Sequence, residues 1–398
     1  MAQRPSEITE GNARPAFAEL NNLASEKLGA RILFATDDWF AVAENLLKDS
    51  EAEWREGEFT EWGKWMDGWE TRRKRKAGHD WCIIKLGVGG QVAGVDVDTS
   101  FFTGNYVPRV SVQGATLTQE QEAMIPERRS EMGSEATERE MTEVAKLKSE
   151  EWETIIPMTE ARPGYRETCH TFLPSCSASA RYTHLRLNAY PDGGIARLRV
   201  FGCAVPDLTC VRPGQEMDLV ALVSGGVCLG YSDAHYGHPR NLISPWPPAS
   251  MADGWETARR LDRPSILKEG AGGVLQVAGR EWAVFKMGLP GHVKEVVVET
   301  HFFLGNFPDS CKIDGCFVRE GEELPDPASD DPRWLTVLPS KKLGPNRIHQ
   351  FKDVREVGLV SHIRVTMAPD GGISRVRVIG AAYPSSASSS LGFPRSKF

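Results

Sequence analysis

The 398-residue chain is short of the features that usually declare a function. It has no Gly-x-Ser-x-Gly elbow, no phosphate-cradling Walker loop and no dinucleotide fingerprint, which argues against serine-nucleophile hydrolysis and nucleotide chemistry. Gly87-Val-Gly-Gly90 comes nearest to a glycine-rich loop, but it lacks a strand–helix setting and its counterpart later in the chain is Gly288-Leu-Pro-Gly291. Excess positive charge is missing too. A net charge of −7 gives no bulk attraction to nucleic acid or an anionic membrane surface. The one basic run, Arg72–Lys76, sits between Glu70 and Asp80 and reads as locally neutralised. The Met1–Pro5 start carries no apolar signal core, and no hydrophobic run reaches spanning length. Eight cysteines are present without metal-knuckle spacing, so they read as reduced thiols of an intracellular protein.

What the chain does have is a large internal repeat. Asp67-Gly-Trp-Glu-Thr71 recurs as Asp253-Gly-Trp-Glu-Thr257, Thr99-Ser-Phe-Phe-Thr-Gly-Asn105 as Thr300-His-Phe-Phe-Leu-Gly-Asn306, and Pro191-Asp-Gly-Gly194 as Pro369-Asp-Gly-Gly372. Over 80–115 against 281–316, 13 of 36 positions are identical, and over 184–206 against 362–384, 13 of 23. A period of about 190 residues is far beyond solenoid or propeller repeats and indicates a duplicated domain.

Segments such as Ala93-Gly-Val-Asp-Val-Asp-Thr99 and Ile195-Ala-Arg-Leu-Arg-Val-Phe201 alternate apolar and polar residues. Many short strands between Gly/Pro turns indicate an all-β fold of two antiparallel sandwiches. Asp-Gly-Gly tolerates positive φ, so each Pro-Asp-Gly-Gly is expected to turn a hairpin. The stretch 135–148 is rich in helix formers, with Met141, Val144, Ala145 and Lys148 on one face, and is expected as a short helical insertion confined to the first repeat. The expected organisation is an N-terminal arm (1–28), a first repeat (29–206), a linker (207–224), a second repeat (225–384) and a flexible tail (385–398).

Residues able to do chemistry lie within or beside the repeated motifs. Glu70 and Glu256 are matched carboxylates, with Arg73 and Arg259 at matched positions three residues on. An Asp-Gly turn, a buried Trp and an Arg–carboxylate pair would also serve simply to lock the rim of a sandwich, and both readings of Asp67 and Asp253 stay open. The Phe pairs are expected in the core. Histidines break the symmetry: His79 faces Arg280, His301 faces Ser100, and His235 and His238 have no counterpart. Asp233, His235 and His238 are a candidate metal group, though their spacing matches no strong zinc signature, and no metal site is assigned.

Together, Met66-Asp-Gly-Trp-Glu-Thr-Arg-Arg73, the strand Asp80–Leu86, Asp98–Asn105, Ala43-Glu-Asn-Leu-Leu47 and the doubled Pro-Asp-Gly-Gly-Ile-x-Arg resemble the allantoicase family, from about Arg31 to Pro384. The resemblance implies two tandem jelly-roll sandwiches of the galactose-binding type. It also implies a homo-oligomer, and hydrolysis of allantoate to ureidoglycolate and urea in purine breakdown. On that chemistry Glu70 or Glu256 is expected as base, His79 or His301 as acid, and Arg73 or Arg259 as the clamp on the substrate carboxylate. Asp67, Asp253, Asn105, Asn306 and His235 would orient the substrate. No cofactor is required, although a divalent metal is compatible, and neither nucleic acid nor membrane is expected as a partner. Two competing readings are a non-catalytic tandem that binds a small ligand or carbohydrate, and an enzyme acting on a related ureido compound. Ser396-Lys397-Phe398 resembles a peroxisomal address, the cytoplasm being the other expected location.

Overall fold

A computed structural model describes residues 14–207, 212, 214–262, 264–319 and 321–383. The whole of the expected tail (385–398), with its Ser396-Lys397-Phe398 ending, and the first 13 residues lie outside that set. The chain divides into two compact units, Met1–Cys203 and Ala204–Phe398.

The first unit uses β1 (Asn21–Asn22), β2 (Arg31–Ala35), β3 (Trp69–Glu70), β4 (Asp80–Asp98), β5 (Arg109–Ala115), β6 (Glu153–Glu160), β7 (His170–Pro174), β8 (Tyr182–Tyr190), β9 (Gly194–Ile195) and β10 (Arg197–Ala204). The main sheet runs β1-β10-β4-β8-β5-β6, and β2 and β7 also pair with β4. Strand β4 spans 19 residues and serves two groups of neighbours. Its first stretch pairs with β2 and β8, its last five residues with β7. Between them the strand carries Gly87, Gly89 and Gly90. A Cβ at Gly90 would lie 2.3 Å from the carbonyl oxygen of Cys203, so this glycine-rich stretch exists for close backbone passage.

The second unit repeats the plan with β11 (Glu216–Asp218), β12 (Val227–Tyr231), β13 (Trp255–Glu256), β14 (Glu281–Glu299), β15 (Ser310–Cys316), β16 (Leu335–Lys342), β17 (Ile348–Phe351), β18 (Val360–Ala368), β19 (Gly372–Ile373) and β20 (Arg375–Ala382). Its main sheet runs β11-β20-β14-β18-β15-β16, with β12 and β17 also on β14.

Four expectations need correction. No hairpin forms across Pro191–Gly194, because β4 lies between β8 and β10. The turn instead delivers β9 to β3, and Asp192 accepts the Lys74 backbone N–H at 2.7 Å. In the second unit β19 joins β13, and Asp370 accepts from Arg260 N at 3.0 Å. Residues 216–224 are not linker: β11 pairs with β20, and Leu219 and Val220 are fully buried. Likewise 14–28 is no free arm, since β1 pairs with β10 and Ala18, Leu23 and Ala24 are fully buried. The insertion does form a helix, α1 (Glu138–Val144), with a Thr137/Glu140 capping box. Its apolar face differs from expectation, because Lys148 adopts a left-handed φ of 48° and Ala145 and Lys148 are exposed. Val144 packs with Phe34, Trp81 and Ile83, joined by Met141 and Leu147. In the second unit Trp334 covers the corresponding patch, against Val284 and Cys316.

Each core closes on one tryptophan and one arginine. Trp69 and Trp255 are fully buried, and their indole N–H groups donate to the carbonyls of Asp37 (2.9 Å) and Asp233 (2.8 Å). Arg197, at 0 % exposure, donates to the Asp67 carboxylate at 2.6 Å and to the carbonyls of Ser50, Glu51, Asp67 and Ala196. Its equivalent Arg375 binds the carbonyls of Trp246, Asp253 and Ser374. A guanidinium can be buried only when its donors are satisfied in this way.

Asp67 is buried, which alone would raise its pKa, but Arg197, the Glu53 N–H and Lys48 outweigh burial and hold the carboxyl below its ordinary 3.8. Its stabilising effect is therefore complete above pH 3.8 and is lost as pH falls through the lower folded-state value. Arg197→Leu is expected to destabilise by about 3–5 kcal/mol, since it leaves a buried carboxylate without its partner. Denaturant unfolding checks the magnitude. In an acid titration of melting temperature, Asp67→Asn should remove part of the loss seen in the parent below about pH 4.

Candidate functional site

The Asp-Gly-Trp-Glu motif and the Phe-Phe-x-Gly-Asn motif meet through a single side-chain hydrogen bond in each repeat. Asn105 Nδ2 donates to Glu70 Oε1 at 2.6 Å, and Asn306 Nδ2 donates to Glu256 Oε1 at the same distance. Both glutamates lie on two-residue strands pinned on each side. Glu70 pairs with Gly194 and bridges Ala41, while Glu256 pairs with Gly372 and bridges Gly237. Glu70 is buried, and this burial lifts its carboxyl from 4.5 to about 7 against the smaller opposing pull of Asn105. Such a carboxyl takes both protonation states near neutral pH, the property a proton-transfer group needs. Glu256 is more open to solvent.

The residue after Asn105, Tyr106, lines a depression of about 610 Å3 together with His79, Arg109, Met158, Glu160 and Tyr190 among others, a lining that includes neither Glu70 nor Asn105. That volume suits a small ligand. Tyr106 follows Asn105 and bridges Gly194, the partner of Glu70, which puts two strand spacings, about 10 Å, between the Tyr106 and Glu70 backbones.

The protonation of His79 follows from its neighbours. Asn188 Nδ2 donates to Ser111 Oγ (3.1 Å) and Gln113 Oε1 (2.6 Å), and Asn188 Oδ1 accepts from Arg186 Nε, an obligate donor, at 2.9 Å. The amide orientation is thereby fixed. His79 Nε2, 2.9 Å from the same Oδ1, must carry a hydrogen, which leaves Nδ1 as the acceptor of the neutral ring. Burial holds His79 below the ordinary imidazole pKa, and the ring lies 4.3 Å from that of Tyr190.

The other expected site residues fall elsewhere. Arg73 and Arg259 are exposed and make no ion pair among the described residues. Their neighbours are the ones used: Arg72 pairs with Asp37 and Glu135, and Arg260 with Asp262 and Glu281. Asp67 is committed to Arg197 and Lys48, while Asp253 accepts the Ala249 N–H at 2.8 Å. His301 Nδ1 contacts Glu299 at 3.2 Å and not Glu256. His235 is exposed and packs edge-on to Tyr236, with its backbone N–H on the Glu256 carbonyl. His238 Nδ1 caps a helical turn by accepting from Arg240 N, so the candidate metal group in 233–238 does not assemble. The Phe pairs split: Phe102 and Phe303 are fully buried, but Phe101 and Phe302 hold left-handed φ of 71° and 69° and are partly exposed.

Sequence reasoning missed Arg109, Asn188 and Tyr190. Strand registers align them with Ser310, Thr366 and Ala368, so Arg109 and Tyr190 of the lining, and Asn188 behind His79, have no like counterpart in the second repeat. The same position-by-position contrast between the repeats that marks the histidines also marks these three residues.

Comparison with known proteins agrees with this duplication. The family profile described as the allantoicase repeat matches residues 21–205 and 217–383. A probable allantoicase of Pseudomonas syringae pv. tomato is 39 % identical over 368 residues, covering 92 % of this chain and 97 % of the relative. A probable allantoicase of Photobacterium profundum is 39 % identical over 365 residues, with the same coverage. The crystal structure of allantoicase from Saccharomyces cerevisiae superimposes with a TM-score of 0.66 at 30 % identity, covering 90 % of this chain and 92 % of the yeast one.

Asn105→Leu is expected to push the Glu70 midpoint above about 7, because the lost hydrogen bond favoured the charged form. Infrared titration of the protonated carboxyl band would measure this, and Asn306→Leu should leave that midpoint in place. Folding holds this proton more tightly between 4.5 and about 7, so its contribution to stability fades as pH rises through that window.

Proposed function

The chain belongs to the allantoicase family, hydrolases that release urea from allantoate in purine degradation, and on that premise we propose that Glu70 and His79 carry the proton transfers of that reaction in the first repeat. The observation behind this reading is a buried carboxyl poised at about 7 and bonded to Asn105, whose chain neighbour Tyr106 lines a depression with a neutral imidazole.

Allantoate carries a carboxylate and two ureido groups on one tetrahedral carbon. Hydrolysis breaks one C–N bond and forms one C–O bond. The departing nitrogen gains a proton, the water loses one, and urea and ureidoglycolate result with no net change in protons. His79 presents a lone pair at Nδ1 and is suited to take the proton from water, its Nε2–H being held by Asn188. Glu70 in its protonated form is suited to give one to the leaving nitrogen. These roles reverse the order expected from sequence, since burial keeps the carboxyl protonated longer and the imidazole neutral longer. Arg109, paired at the rim with Glu160 at 3.1 Å, replaces Arg73 as the proposed fork for the substrate carboxylate.

Glu70→Gln is expected to lower kcat for urea release by ~10²–10⁴-fold and to abolish the pH limb near 7. Arg109→Ala should chiefly raise KM. Turnover close to that of the parent in Glu70→Gln, in Glu256→Gln and in the double variant would overturn the assignment.

A further inference from the structure

Away from the depression, the end of β4 meets the start of β7 in a cluster the proposed reaction does not use. Asp98 pairs directly with His170 across the two strands. One donor atom each from Asp98, Cys169 and His170 lies within 4.8 Å of the other two. We propose that these three residues bind a zinc ion, with Asp96 holding the imidazole from behind.

Three features carry the assignment. First, the donor set is right: one thiol, one imidazole and one carboxylate are the ligand types zinc takes, and bonds of about 2.0–2.3 Å would need the donors to close by only about 1 Å. Second, the supporting contacts are already made. Asp98 Oδ1 is taken by the N–H (2.8 Å) and hydroxyl (2.6 Å) of Ser100, which leaves Oδ2 for an ion. The Cys169 backbone is fixed at both ends, its N–H on the Tyr165 carbonyl and its carbonyl accepting from Thr99 N. His170 Nδ1 lies 2.8 Å from Asp96 Oδ2, the carboxylate–imidazole pairing that accompanies ligating histidines. Third, Asp96 is only 4 % exposed, and its other oxygen, Oδ1, is buried with no hydrogen-bond partner. A buried carboxylate oxygen left in that state calls for a cation or a proton nearby.

The second repeat supplies an internal contrast. By strand register and by the matching N–H contacts of Thr99 and Thr300, the counterparts of Asp96, Cys169 and His170 are Val297, Arg347 and Ile348. One ion per chain is therefore expected. It would fasten the segment that leads through Phe101 to Asn105, and so act as a structural support behind the Glu70 pair.

The test is metal binding by the full-length protein after chelator treatment, under a reductant that does not bind zinc. Titration against a chromogenic zinc chelator should give one tight site per chain. Cys169→Ser and His170→Asn should each weaken it at least tenfold, and Asp96→Asn by ~10–100-fold, with melting curves confirming that each variant folds. Cobalt(II) should give a thiolate charge-transfer band that Cys169→Ser removes. Absence of a stoichiometric site, or zinc affinity unchanged in both Cys169→Ser and His170→Asn, overturns the proposal. Should a variant fail to fold, the cobalt spectrum of the parent decides, and the lack of a thiolate band overturns it.

Discussion

A guanidinium with no route to water organises each half of this molecule. Arg197 and Arg375 enter the core on the first residue of a long strand and must find every acceptor inside. They find them in the carbonyls of the loop ahead of the Trp-Glu strand, and that loop is thereby held in one conformation. The buried tryptophan then fixes the opposite wall through its indole N–H. Glu70 and Glu256 sit one residue beyond these tryptophans, so the clamp works together with their own strand pairings to place them.

The same scaffold gives unequal halves. Both repeats keep the Glu–Asn bond, yet among the described residues only the first carries His79, Arg109, Tyr190 and the Arg186–Asn188 network. The two halves share what closes a sandwich and differ in what lines its surface. Burial is what separates the two sites around the same hydrogen bond: Glu70 is enclosed, while Glu256 stays more open to solvent.

Much of the architecture could be read from pattern, because alternation and turn chemistry are local. The strands around Ile83, Val95 and Leu187 were legible for that reason, and so was a helix within 135–148, though not its Thr137/Glu140 cap. Pairing was less so. Pro191–Gly194 has the chemistry of a hairpin turn, but β4 already occupies the edge that the hairpin would need, a fact no local window contains. Glu70 and Asn105 were recognisable as a repeated pair of polar residues, whereas the shift in Glu70 depends on enclosure that only the folded chain shows. Arg73 stood out because it sits inside a repeated motif, whereas Arg109 faces Ser310 and belongs to no shared motif. Cys169 and His170 escaped notice because their partners Asp96 and Asp98 are some 70 residues away in sequence and no spacing rule connects them.

The clamp also sets a timetable for synthesis. Arg197 and Asp67 are separated by 130 positions, and β1 at Asn21 waits for Phe201 and Gly202. At roughly 5–20 residues per second, a ribosome needs about 6–26 seconds to deliver the arginine after its aspartate. Throughout that interval Trp69 and the edges of β4 are made but cannot be enclosed. The nascent first repeat therefore spends its early life as an open, adhesive sheet, and it becomes a finished body only when nearly its last strand clears the exit tunnel. The second repeat then faces the same wait for Arg375.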